Sequence, residues 1–132
     1  MPIKVLDSYA LIAFFEDESG AETVEALILK AEGDSLELAI SVVNLGEVWY
    51  SIARKTSPSI ADDYLREIQG MAIEVVDADW ELTRLAAEFK VKGRVSYADC
   101  FAAALAKSRK AELVTGDKEF KSLGGEIKIS WL

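Results

Sequence analysis

The sequence predicts an α/β fold with a mostly parallel central sheet of four to five strands and helices on both faces. Three observations lead there. Short apolar runs alternate with longer stretches of helical periodicity along the whole chain. Several of these runs end on a residue that can open a helix, as Asp7 does after Ile3–Leu6 and Ser41 after Leu36–Ile40. No repeat, linker or low-complexity tract interrupts the 132 residues, so a single domain over residues 1–132 is expected.

The elements follow in order. Ile3–Leu6 reads as a short buried strand, and residues 9–16 as an apolar helix with Glu16-Asp17-Glu18 as its solvated end. Ser19-Gly20 breaks it. Residues 21–33 form a second helix, with Val24, Leu27, Ile28 and Ala31 on one stripe. After the turn at Glu32–Ser35 comes the strand Leu36–Ile40. Ser41 caps a helix over Val42–Lys55 whose core face is Leu45, Val48, Trp49 and Ile52. Ser57-Pro58 starts another helix, ended by Gly70. Ala72–Val76 reads as an edge or secondary strand, and Asp77 as the cap of a long helix ending at Lys92-Gly93. Ser96 opens a helix rich in small residues, Glu112–Thr115 is a strand, and Gly116-Asp117 turns into a short helix through Phe120. Ile127–Ile129 is the last strand.

Composition narrows the chemistry. The chain has no histidine, which excludes a histidine base, phosphohistidine chemistry and the usual histidine zinc sites. The single cysteine, Cys100, cannot form an internal disulfide and reads as buried filler. The first strand begins directly after Met1-Pro2, and no apolar run is long enough to span a membrane. A cytoplasmic location without membrane attachment is therefore expected. With 23 acidic and 15 basic residues the formal charge is −8, unlike a generic nucleic-acid binder with a basic face. Such a chain can still grip a polyanion through metal ions and a local basic patch.

Four acids stand at strand-to-helix positions: Asp7, Glu47, Asp99 and Asp117. Each has a plain structural explanation. Asp7 can cap a helix, with Ser8 as competing cap. Glu47 lies at the margin of an apolar helix face and needs a partner, such as an arginine. Asp99 can complete a capping box with Ser96. Asp117 can cap the last helix. Their joint placement is less ordinary, because strand ends on one side of a parallel sheet share a crevice. Carboxylates gathered there raise one another's pKa, and a cation relieves the repulsion. Oxygen ligands without His or Cys favour Mg²⁺ or Mn²⁺ over zinc.

The segments VLDSYALIAFF, SVVNLGEVWY, SYADCFAAALA and LVTGDKEF occur in that order along the chain. Together they resemble a PIN-domain protein, and within that superfamily the toxin subunit of a VapBC-type toxin–antitoxin pair. The resemblance covers the whole chain. It implies a three-layer α/β/α PIN-like fold, and it matches Asp7, Glu47, Asp99 and Asp117 to the family's acidic quartet. It further implies a metal-dependent endoribonuclease that leaves 5′-phosphate and 3′-hydroxyl ends. A homodimer and an antitoxin partner whose tail fills the active groove are implied as well.

On that reading Asp7 and Asp99 chiefly hold a metal, and Asp117 and Glu47 complete its coordination. Ser8, Asn44 and Thr115 are supporting groups beside these ligands. Gly116 is expected to give a tight turn with an unusual backbone angle. Bases cluster in the second half, from Arg84 to Lys121, and Lys118 and Lys121 are the candidates for contacts to RNA phosphates. Trp49, Tyr50, Tyr64 and Trp80 are expected in the core or an interface. Two rival classes remain: another Mg²⁺-dependent phosphoryl hydrolase, and a non-enzymatic binding module. A phosphatase of the first kind places two aspartates close together after its first strand, where this chain has Asp7-Ser8-Tyr9.

Overall fold

The computed structural model describes all of residues 1–132. Five strands form one parallel sheet in the order β3-β2-β1-β4-β5. They are β1 (Ile3–Leu6), β2 (Glu37–Ser41), β3 (Ile73–Val76), β4 (Glu112–Thr115) and β5 (Ile129–Trp131). The helices are α1 (Ser8–Phe15), α2 (Ala21–Glu32), α3 (Val42–Lys55), α4 (Pro58–Gln69), α5 (Trp80–Lys92) and α6 (Tyr97–Arg109). A 3-10 helix, Lys118–Leu123, joins β4 to β5. The architecture is the three-layer α/β/α arrangement expected. No helix is long and apolar enough to cross a membrane.

The sheet's alternation builds two cores. Val5, Ala39 and Leu113 face α5, α6 and the 3-10 helix. Leu6, Leu38, Ile40 and Val114 face α1 to α4. Helix α6 is buried from Asp99 to Ala106, which explains its alanines: small side chains let it lie close between the sheet and α5. Cys100 is buried there, as expected.

The caps show why the elements start where they do. Ser41 accepts from the Val43 amide at 3.2 Å, and Ser57 from that of Ile60 at 3.2 Å. The α5 cap is Asp79, whose Oδ1 accepts from the Leu82 amide at 2.8 Å, not Asp77 as the sequence suggested. Both are aspartates, and the chain stays extended for two residues longer. The last strand also lies further on. Ile127 is a core plug beneath the 3-10 helix, and pairing with β4 begins at Ile129. β3 is an edge strand, as expected, and β5 is the other edge.

Candidate metal centre

Every parallel strand that leads directly into a helix does so at the same end of the sheet. The carboxyl ends of β1, β2 and β4 therefore open α1, α3 and the 3-10 helix there, and the hydrogen bond from Asn44 to the Ala98 carbonyl brings the start of α6 to the same end.

Asp7 leaves β1 and caps α1. Its Oδ1 accepts from the Ala10 amide at 2.9 Å, and its Oδ2 from the Thr115 hydroxyl at 2.5 Å. The cap uses Oδ1 and the Thr115 hydroxyl uses one lone pair of Oδ2, so capping does not exhaust the carboxylate. The side chain is only 1% exposed. Ser8 does not compete for the cap. Its hydroxyl donates to Glu47 Oε1 at 3.0 Å.

Glu47 lies in the second turn of α3. It also accepts from Asn44 Nδ2 at 3.1 Å, and the same amide donates to the Ala98 carbonyl at 3.1 Å. The partner expected from the sequence, an arginine, is thus replaced by two neutral donors that tie α3 to the start of α6. Asn44 is fully buried, and its Oδ1 has no protein partner.

Asp99 lies in the first turn of α6, 7% exposed. Its amide donates to Ser96 Oγ at 3.2 Å, which is the serine half of a capping box. Asp117 follows β4. Its amide donates to Thr115 Oγ1 at 3.0 Å, and its Oδ1 caps the 3-10 helix by accepting from the Glu119 amide at 3.0 Å. Thr115 thereby links Asp7 to the turn that carries Asp117.

Gly116 corrects an expectation. It is absent from the positive-φ positions, where Gly20 is the only glycine. Its smallness serves a close approach instead. A Cβ there would fall 2.3 Å from Tyr9 Cε1 and 2.6 Å from Cζ. The Tyr9 ring lies on the Thr115-Gly116-Asp117 turn, and a larger residue there would have to push this half-exposed ring aside.

The electrostatics bind these acids into one group. Burial pushes the Asp7 carboxyl up to about 7, and the charges of Asp99 and Asp117 add to the rise. The Thr115 and Ala10 hydrogen bonds oppose it. Burial also pushes Asp99 up to about 7, reinforced by Asp117, Glu47 and Glu119 and opposed by Ser96. The tightest set is one the sequence reading missed in part. One carboxylate oxygen each from Asp99, Asp117 and Glu119 lie within 4.8 Å of one another. Asp7 and Glu47 flank this trio. Glu119 is exposed and two residues beyond Asp117, so only the tight 3-10 turn gave it away.

These residues fit a hard divalent cation. An octahedral ion with oxygen bonds of about 2.1 Å sets neighbouring ligands about 3 Å and opposite ones about 4.2 Å apart, separations that the 4.8 Å limit on the trio admits. The donor set is carboxylate only, and two members hold protons near neutral pH that a cation would displace.

The surrounding bases are mostly spoken for. Arg84 pairs with Glu88, Lys92 and Lys107 with Glu126, and Arg109 grips Glu74 through two bonds of 3.0 and 2.9 Å. Lys90 donates to the Val95 carbonyl. Lys118 and Lys121 take part in none of the seven ion pairs. Among the aromatics, Tyr64 stacks on Phe15 at 4.5 Å and Trp49 donates to Asp62 at 2.9 Å. Trp80 and Tyr50 are exposed.

Comparison with known proteins agrees with this architecture. The VapBC2 complex of Rickettsia felis, bound to a promoter DNA fragment, superposes with a TM-score of 0.77 at 20% identity, over 98% of each chain. A DNA-bound VapBC from Salmonella typhimurium gives 0.74 at 23%, over 98% of each chain. VapC20 of Mycobacterium tuberculosis, a toxin that cleaves the sarcin-ricin loop, gives 0.72 at 17%, over 92% of this chain and 95% of that one. At such identities the likeness is one of fold. No curated protein matches in sequence. The model of the PIN domain, however, matches residues 4–126, nearly the full chain. A carboxylate-lined end of a parallel sheet, within a match of that extent, makes this chain a member of the PIN-domain family.

Proposed function

We propose that the chain is a Mg²⁺- or Mn²⁺-dependent endoribonuclease, the toxin component of a type II toxin–antitoxin pair, acting as a single catalytic domain. The observation that carries this is the packing of acids from α1, α3, α6 and the β4 turn at one end of the sheet. Such a cluster is costly without a cation. PIN-domain membership supports a metal-dependent nuclease in general, and VapBC complexes among the structures of like fold support the toxin reading.

Asp99, Asp117 and Glu119 would hold the ion, with Asp7 and Glu47 completing the set. When bound, a divalent ion there lowers the pKa of a coordinated water and offsets charge developing on a phosphodiester. The rest is done by the chain. Ser8 and Asn44 fix the orientation of Glu47, and Thr115 fixes that of Asp7. Glu47 or Asp117 would take the proton from the attacking water. Lys118 and Lys121 would meet phosphates beside the cut, which leaves 5′-phosphate and 3′-hydroxyl ends. A cognate antitoxin and a homodimeric state belong to the same proposal.

The test is direct. Purified protein is expected to cleave RNA with Mg²⁺ or Mn²⁺ and to lose that activity in excess chelator. Equal cleavage with and without chelator would overturn the mechanism. A rise in melting temperature on adding Mn²⁺ is expected on the same grounds, since the ion binds the folded state.

A further inference from the structure

An open groove of about 460 Å³ runs along the β5 edge of the sheet, lined in part by Glu112, Lys121, Lys128, Ile129 and Trp131. Its register ties it to the acidic cluster. Leu6 pairs with Val114 and Thr115 with Trp131, so Asp7, Thr115 and Trp131 occupy one row across β1, β4 and β5. Residues paired in register share a face, and neighbouring strands lie about 4.8 Å apart. The Trp131 backbone is therefore about 10 Å from that of Asp7.

The groove carries more cations than acids on an acidic chain. In a chain of net charge −8, neither Lys121 nor Lys128 enters an ion pair. The groove's one acid, Glu112, is held by Lys4 at 2.5 Å and also feels the Lys128 charge, which leaves Lys121 as the lysine farthest from compensation. Trp131 is 44% exposed. The other strongly exposed tryptophan, Trp80, stands among Glu81, Glu88 and Arg84, and Arg84 is paired to Glu88. Of the two strongly exposed tryptophans, only Trp131 lines a groove whose lysines enter no ion pair.

We propose that this groove receives the single-stranded RNA that flanks the scissile phosphate, with a base stacked on Trp131 and backbone phosphates on Lys121 and Lys128. This rests on the reading of the acidic cluster as an RNA-cleaving centre. A flat ring beside two unpaired cations suits a chain that alternates planar bases with phosphates. An acidic peptide would use the lysines but has no need of the ring.

The experiment measures binding of a fluorescently labelled oligouridine in chelator, and KM and kcat for RNA cleavage in Mn²⁺. Trp131→Ala is expected to weaken oligouridine binding about tenfold and to raise KM by a like factor, with kcat held. Trp131→Phe, which keeps a ring, should recover most of both. Lys121→Gln with Lys128→Gln should reduce the slope of log affinity against log salt by about 1.4. None of these variants should change the Mn²⁺-induced rise in melting temperature. Oligouridine binding and KM unchanged in Trp131→Ala would overturn the proposal. So would polyglutamate displacing oligouridine from wild type and Trp131→Ala alike, which would mark an acidic-peptide site. If Trp131→Ala melts below wild type without Mn²⁺, the Trp131→Phe variant and the lysine pair decide by the same criteria. Wild-type protein that binds oligouridine through Trp131 yet cuts no RNA would uphold the groove and sink the nuclease reading.

Discussion

The acidic centre has two unequal halves. Asp7 and Asp99 are buried, anchored by regular elements, and both are pushed up to about 7. Asp117 and Glu119 sit on a turn and a single 3-10 helix, with exposed or half-exposed side chains. The buried half stores the electrostatic penalty, whereas the turn half can adjust its reach at little cost. A cation should draw most of its binding energy from the first and its coordination geometry from the second.

The sharpest way to break this contrast is to remove charge from the buried half. Asp7→Asn or Asp99→Asn should lower cleavage by about 10²- to 10³-fold, measured as kcat/KM on RNA in Mn²⁺. Both variants should remain folded by circular dichroism.

Acidity gives the next test. Both folded values lie above the ordinary 3.8, so between about pH 4 and 7 the folded chain holds more protons than the unfolded one. Stability from this source is present in full below about pH 4 and lost as pH rises through about 7. The metal-free melting temperature should fall on the order of 5–10 °C across that window. Asp7→Asn should flatten the fall, and saturating Mn²⁺ should reverse it. A profile equally steep in Asp7→Asn would deny that Asp7 is the buried, proton-holding member.

The adjustable half calls for milder changes. Gly116→Ala should displace the Tyr9 ring at a cost of about 1 kcal/mol, read by urea unfolding. Adding Tyr9→Ala should return part of it, a coupling that two independent sites would not show. Glu119→Gln should weaken Mn²⁺ affinity about tenfold, by titration calorimetry. No change there would confine the centre to the other four acids.

Much of this was legible in the residues. The strand-then-acid pattern at Asp7 and the serine caps at Ser41, Ser57 and Ser96 fixed element starts, because local hydrogen bonds decide them. What was hidden depended on contacts across the chain. Glu47 looked as if it needed an arginine, since nothing local reveals that Ser8, 39 residues earlier, turns toward it. Gly116 looked like a turn residue because the ring that requires it belongs to α1. β5 was placed two residues early because Ile127 and Ile129 carry the same apolar signal, and only pairing with Leu113 separates strand from plug. Glu119 gave no sign, as an exposed acid in a charged segment is indistinguishable from surface.

The Thr115 hydroxyl has one proton, and it is committed to Asp7, while its lone pair receives the Asp117 amide. A change at Asp7 therefore reaches the turn of a different strand through one atom, by shifting the Thr115 Oγ1 that the Asp117 N–H depends on. Deuterium uptake at that one amide becomes a gauge of the carboxylate's condition. It should be slow when Asp7 is charged and engaged, and quicker when proton uptake weakens its hold on the hydroxyl.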